Sequence, residues 1–239
     1  MQDFYEPSQG EDMCQPAKSE FYSSLIGHLI VVIKTRPEIR PFISHLSKQT
    51  HPNRGDECKA IYVLRYLYST RDIRSVYDGD DTTIYGQSDS AFCFHWNGAC
   101  SYGFILSAGR YGAPFMSQAK AQTTIAPDIV AGEYYAAFYL CLVIAHFRQL
   151  AAELGWPQPA TPILMDSQSA INLALAPIIT KKARHMKVKY HLIRDYARTG
   201  LVKLHHIPAS EMRADILTKV LSKTNFIKGR AALLNMPLP

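Results

Sequence analysis

The stretch Ile163-Leu164-Met165-Asp166-Ser167-Gln168-Ser169-Ala170-Ile171 sets an apolar run of three against an acid, then opens an amphipathic segment to Ala176 with a polar Ser-Gln-Ser. It predicts a buried strand, a carboxylate at the strand's C-terminal tip, and a helix starting at once with Ser167 as N-cap. A lone buried carboxylate is costly, whereas one at the open edge of a sheet suits a hard cation. Helix capping alone would also explain an isolated Asp166, so the acids that meet it in the fold decide between the two readings.

Upstream, Pro127 opens the longest predicted helix, which ends near Leu154 with Gly155 as its stop. Its apolar stripe runs Ala137, Leu140, Ile144, Phe147, Ala151, Leu154 in steps of three and four, and one turn further back it lands on Glu133. That acid therefore faces the core and needs a partner or a metal. Strands are expected at Ile84 to Phe92, Tyr102 to Ser107 and Tyr111 to Met116, separated by Gly98 and the Ala108-Gly109-Arg110 turn. Asp89 lies inside the first of them.

Downstream, Lys181-Lys182-Ala183-Arg184 leads into a further helix, to Gly200. Arg184, Lys187, His191, Arg194 and Arg198 follow steps of three and four and form one cationic ridge, with Met186, Tyr190, Ile193 and Ala197 on the opposite side. Such a ridge suits a phosphate backbone. Leu201 to Ile207 reads as a last strand ended by Pro208. Ser210 then caps a helix over Glu211-Met212-Arg213-Ala214-Asp215-Ile216-Leu217-Thr218-Lys219. The order is β-β-β-α-β-α-α-β-α, with acids at residues 89, 133, 166 and 215.

Before the sheet, residues 19–80 read as helical. Segments run from Ser19 to Lys34, from Pro37 to about Lys48, and from near Arg54 onward with Cys58, Ile61, Leu64 and Tyr68 at helical spacing. Tyr77-Asp78-Gly79-Asp80-Asp81 reads as an acidic turn between domains. The expected organisation is a flexible arm over 1–18, a helical segment over 19–80, an α/β domain over 81–222, and a tail with a short helix over 223–239.

The 239 residues are 47% hydrophobic, ample for a core, and no apolar run approaches the roughly 18 residues of a membrane span. The acidic N-terminus lacks the order of a secretory signal, and five cysteines without a CxxC pair argue against a disulfide framework, so cytosol or nucleus is expected. Residues 177–239 carry 13 Lys and Arg against 3 Asp and Glu, while residues 1–176 carry 13 against 17. A basic last quarter on a mildly acidic body points to a polyanionic partner.

Four carboxylates converging at one end of a mixed sheet would supply the all-oxygen ligands that a pair of divalent cations needs for phosphodiester cleavage. All-oxygen ligation favours Mg2+, two ions in this scheme, with Mn2+ as the alternative. The His and Cys residues show no spacing that closes a zinc site. His205 and His206 end a strand near Asp215, where one of them would assist product release.

The chain resembles the C-terminal part of a copia-type LTR-retrotransposon Pol polyprotein, its ribonuclease H domain preceded by the end of the reverse transcriptase. In the helical part the resemblance is carried by Tyr22-Ser23-Ser24-Leu25-Ile26-Gly27, Thr35-Arg36-Pro37-Glu38-Ile39 and Val63-Leu64-Arg65-Tyr66-Leu67. In the sheet part it is carried by Ser88-Asp89, Gly132-Glu133-Tyr134, Asp166 to Ile171, Arg184-His185, Tyr190 to Arg194 and Ala214 to Lys219. It implies a ribonuclease H-like mixed five-stranded sheet flanked by helices, behind a small helical appendage. It also implies Asp89, Glu133, Asp166 and Asp215 as the catalytic, metal-binding acids, Asp89 and Asp166 serving both ions and Glu133 and Asp215 one each.

The expected substrate is an RNA–DNA hybrid. Ser167, Gln168, Lys181, Lys182, Arg184, Lys187, His191, Arg194 and Arg198 are its expected contacts. The family's Glu-Ala-Glu-Tyr is Ala131-Gly132-Glu133-Tyr134 here, so only the inner Glu is present. The palm aspartates of a polymerase are not in the chain, so DNA synthesis would fall to a separate reverse transcriptase polypeptide. Two other readings compete: a nucleic-acid-binding remnant without turnover, and an integrase or transposase. The latter enzymes place a late Glu in a helix, where this chain has Asp215.

Overall fold

The structure, a computed structural model, describes residues 15–17, 19–77, 79–91, 100–122, 126–176, 191–219 and 221–237. Five strands form one mixed sheet: β1 (Ile84–Ala91), β2 (Ser101–Ala108), β3 (Pro114–Ala121), β4 (Thr161–Met165) and β5 (Val202–His206), in the order β3-β2-β1-β4-β5. The first three make an antiparallel meander, and β4 and β5 add parallel to β1. This is the mixed five-stranded sheet expected from the sequence, with the crossover helices that parallel neighbours require.

One face of the sheet is covered by α4 (Ile129–Glu153), α5 (Gln168–Leu175) and α6 (Leu192–Arg198). Asp128 caps α4 through the Ala131 N–H, and Gly155, at φ 77°, follows its end. Ala137, Leu140, Ile144 and Ala151 are buried as their spacing predicts, but Leu154, the C-cap residue, is 75% exposed. Gly86 of β1 lets this helix sit close, since a Cβ there would lie 2.9 Å from Leu140 Cδ2. By length and composition α4 is apolar enough to cross a membrane, but 61% of its most apolar window is buried inside the protein, as befits a core helix.

The opposite face is covered by α1 (Ser19–Val32), α2 (Arg40–Leu46), α3 (Arg54–Ser69), α7 (Asp215–Thr218) and α8 (Lys223–Leu234). Tyr22, Leu29, Ile39, Phe42, Ile43 and Val63 share one core with Ile105 and Ala119 of the sheet, Leu217 of α7, and Phe226 and Leu233 of α8. The helical segment thus forms the third layer of the domain and backs the strand end that carries the acids.

Several local expectations differ from the structure. Pro37 opens a 3-10 turn to Ile39, and α2 begins only at Arg40, because Pro41 has no N–H to continue one helix through. In α3 the buried face is Gly55, Asp56, Ala60 and Val63; Cys58, Leu64 and Tyr68 are exposed. The third strand starts at Pro114 rather than Tyr111, since the carbonyls of Arg110, Tyr111 and Gly112 curl around the Arg213 guanidinium instead of pairing. Ser210 caps nothing: Ala209–Glu211 is a 3-10 turn, the Arg213 N–H donates to Gln87 Oε1, and the helix starts at Asp215.

Candidate active site

Because β1 and β4 run parallel and pair Gly86 with Ile163 and Gln87 with Leu164, their C-terminal ends lie side by side. Asp89 sits near the end of β1, and Asp166 directly follows Met165, the last residue of β4. Ser167 caps α5 by accepting from the Ala170 N–H at 3.2 Å, which fixes the backbone just after the acid. Glu133 enters from the second turn of α4, on the face packed against the sheet. One carboxylate oxygen each from Asp89, Glu133 and Asp166 lies within 4.8 Å of the other two.

These acids are expensive to hold together. Asp89 is 1% exposed and Glu133 4%. Burial, reinforced by the neighbouring Asp89, pushes the Glu133 carboxyl up to about 8. Burial likewise pushes Asp89 up to about 7, with Lys219 opposing and Asp215 adding to the rise. The Ser90 N–H and hydroxyl donate to Glu133 Oε1 at 3.2 and 2.9 Å, while Oε2 is buried with no partner among the described residues. The Thr218 hydroxyl donates to Asp89 Oδ2.

The fourth predicted acid, Asp215, stands outside the three-carboxylate cluster and is joined to it by a cation. Lys219 Nζ lies 2.6 Å from Asp215 Oδ1 and 3.5 Å from Asp89 Oδ1. Partial burial disfavours its charge, but Asp89 and Asp215 outweigh that and raise the ammonium to about 12. The short helix α7 is seated by Gly103, where a Cβ would come within 2.8 Å of both Leu217 Cβ and Thr218 Cγ2. A set of hard oxygen donors, crowded and with one buried oxygen lacking a donor among the described residues, fits a divalent cation.

The expected nucleic-acid contacts are more scattered. Ser167 is half-buried and Gln168 is exposed, its amide donating to Asn172 Oδ1 at 2.9 Å. Lys181, Lys182, Arg184 and Lys187 lie outside the described residues. Arg194 turns inward and donates to the Leu173 carbonyl at 2.9 Å, and Arg198 stands 3.5 Å from Asp195. Half-buried His191 is lowered from its ordinary value by burial and by Arg194. Of the described ridge residues, Arg194 thus packs inward while Arg198, 78% exposed, projects into solvent. His206 is exposed, and its Nε2 meets the backbone carbonyl of Asp166, itself a member of the cluster, at 3.1 Å.

Three residues that touch the acids were not singled out from the sequence. Thr218 and Lys219 follow Asp215 by three and four positions, the spacing that shares a helix face, so a signal existed. Ser90 carried none, since a serine beside an acid in a strand is commonplace.

No protein-family model matches the chain. It is 28% identical over 208 residues to the "Retrovirus-related Pol polyprotein from transposon TNT 1-94" of Nicotiana tabacum, and 26% identical over 214 residues to that "from transposon RE2" of Arabidopsis thaliana. Each match covers 86% of this chain, which spans only 16% and 14% of those relatives' lengths. The resemblance read from the motifs thus holds for both the helical segment and the sheet. Among solved structures, LC11-RNase H1 isolated from compost aligns with 57% of this chain and 93% of its own at 20% identity, with a TM-score of 0.42.

Proposed function

We propose that this chain hydrolyses the RNA strand of an RNA–DNA hybrid, as a ribonuclease H-type part of a retrotransposon Pol product. The observation that carries the reading is the trio Asp89, Glu133 and Asp166, drawn within 4.8 Å of one another at the ends of two parallel strands. Acids so placed cap no helix, and their burial makes sense when a cation shares the site. The similarity to Pol polyproteins supports the same reading.

Asp89, Glu133 and Asp166 would hold the metal, with Asp215 beside them across Lys219. When bound, divalent cations supply Lewis acidity to a phosphodiester and stabilise charge on its departing oxygen. Ser90 orients Glu133 by its two donated hydrogen bonds, and Thr218 fixes the rotamer of Asp89. Lys219 offers a partly exposed ammonium where a phosphate would approach the acids. A hybrid is distinguished from DNA by the 2′-hydroxyls of its RNA strand, read across a shallow minor groove, so little sequence preference is expected.

The test is a hybrid labelled separately on each strand and incubated with the chain in Mg2+ or in EDTA. Cleavage confined to the RNA strand and to the Mg2+ arm is expected. Cleavage of both strands alike, or of neither, overturns the proposal.

A further inference from the structure

We infer that a second nucleic-acid surface runs from the acids across the edge strand β3 and along α2, a phosphate track made by the helical segment rather than by the predicted ridge; the inference rests on the hydrolase reading for the identity of its polyanion. Three crevices adjoin one another there. The first reaches Thr218 and Lys219 at the site and is bounded by Lys48 and Lys120. The second shares Lys48 and Lys120 with it and extends to Arg40. The third shares Arg40 and ends at Lys34. Among the described residues no Asp or Glu lines any of the three.

Among the described residues none of Lys34, Arg40, Lys48 and Lys120 has a carboxylate within ion-pair distance. Arg40 is half-buried and anchored by its Nε–H to Ser117 Oγ at 3.0 Å, which ties α2 to β3 and holds the groove's shape. A solvated protein face ordinarily mixes signs, and a cation partly withdrawn from water without a counter-ion is costly. A single-sign run of crevices that share lining residues and lead to the acids instead suits a polyanionic nucleic-acid backbone. The layer formed by residues 19–69 thereby acquires a role in holding substrate.

The test measures binding of an RNA–DNA hybrid of about 20 base pairs to the full chain in EDTA, where no turnover occurs, over a salt series. Lys48→Ala with Lys120→Ala should lower the slope of log affinity against log salt by about 2, one phosphate contact per lysine. Lys203→Ala, which removes an exposed cation from β5 at the opposite edge of the sheet, should leave the slope unchanged. Circular dichroism and thermal midpoints confirm that the variants fold. An unchanged slope in the double variant, an equal fall with Lys203→Ala, or no binding by the parent chain overturns the track. A parent chain that binds with the expected slopes but never cuts in Mg2+ sinks the hydrolase reading and leaves the track standing.

Discussion

Lys219 holds its ammonium 3.5 Å from Oδ1 of Asp89, a carboxylate that is otherwise almost sealed from water. The lysine offsets part of the repulsion among the acids and is itself tethered to Asp215. Replacing it by Met keeps the stem and removes the charge. Lys219→Met should lower metal-free stability at pH 8 by about 1 kcal/mol, modest because the side chain is 39% exposed and screened. The loss should shrink at pH 5, where Asp89 holds its proton. Urea unfolding in EDTA at both values checks this; equal losses would mean that only packing had changed.

The carboxyls of Asp89 and Glu133, raised to about 7 and about 8, give a second expectation. Between roughly pH 4, where the unfolded chain loses these protons, and pH 8 the folded state retains more of them. Their contribution is thus fully present at the acid end and is lost as pH rises through the folded values. Thermal midpoints in EDTA should fall between pH 5 and pH 8 more steeply for the parent than for Glu133→Gln. A parallel fall in both would contradict the shift.

Close approach of α7 to β2 at Gly103 can be tested by adding one methyl. Gly103→Ala would set a Cβ 2.8 Å from both Leu217 and Thr218, and should cost about 1–3 kcal/mol as the short helix shifts. Because α7 carries Thr218 and Asp215, divalent-cation affinity should fall with it. Calorimetric titration with Mg2+ alongside urea unfolding reads both; unchanged values in both would show that the helix does not depend on that contact.

Arg213 is buried, and its guanidinium donates to four oxygens, none of them a carboxylate: the carbonyls of Arg110, Tyr111 and Gly112 and the hydroxyl of Ser107. Burial lowers it to about 10, so it stays charged at neutral pH. Lysine cannot reproduce that fork, and Arg213→Lys should cost about 2 kcal/mol by leaving buried acceptors unmet. A loss below about 0.5 kcal/mol in urea unfolding would contradict the assigned role.

Much of this was legible before any coordinates. The strand-acid-helix turn at Asp166 follows from local pattern and capping chemistry, and Glu133 was found because a helical stripe must face the sheet. The boundary near Tyr111 was misread because its cause, the guanidinium of Arg213, lies about a hundred residues away and leaves no local mark. The inward turn of Arg194 toward Leu173 is equally silent in the periodicity, which gives a helix face but not which neighbour covers it. The proposed phosphate track is silent in the sequence for the same reason: Lys34, Lys48 and Lys120 line adjoining crevices only when the helical segment packs against the sheet.

The central claim is that the acids at residues 89, 133 and 166 act together on a phosphodiester. Its most direct test is Asp166→Asn, measured for cleavage of a labelled RNA–DNA hybrid in Mg2+ and for hybrid binding in EDTA. Cleavage should disappear with the variant while binding stays within about threefold of the parent, because the substitution removes one metal ligand and no backbone-binding cation. Undiminished cleavage by Asp166→Asn would contradict the account.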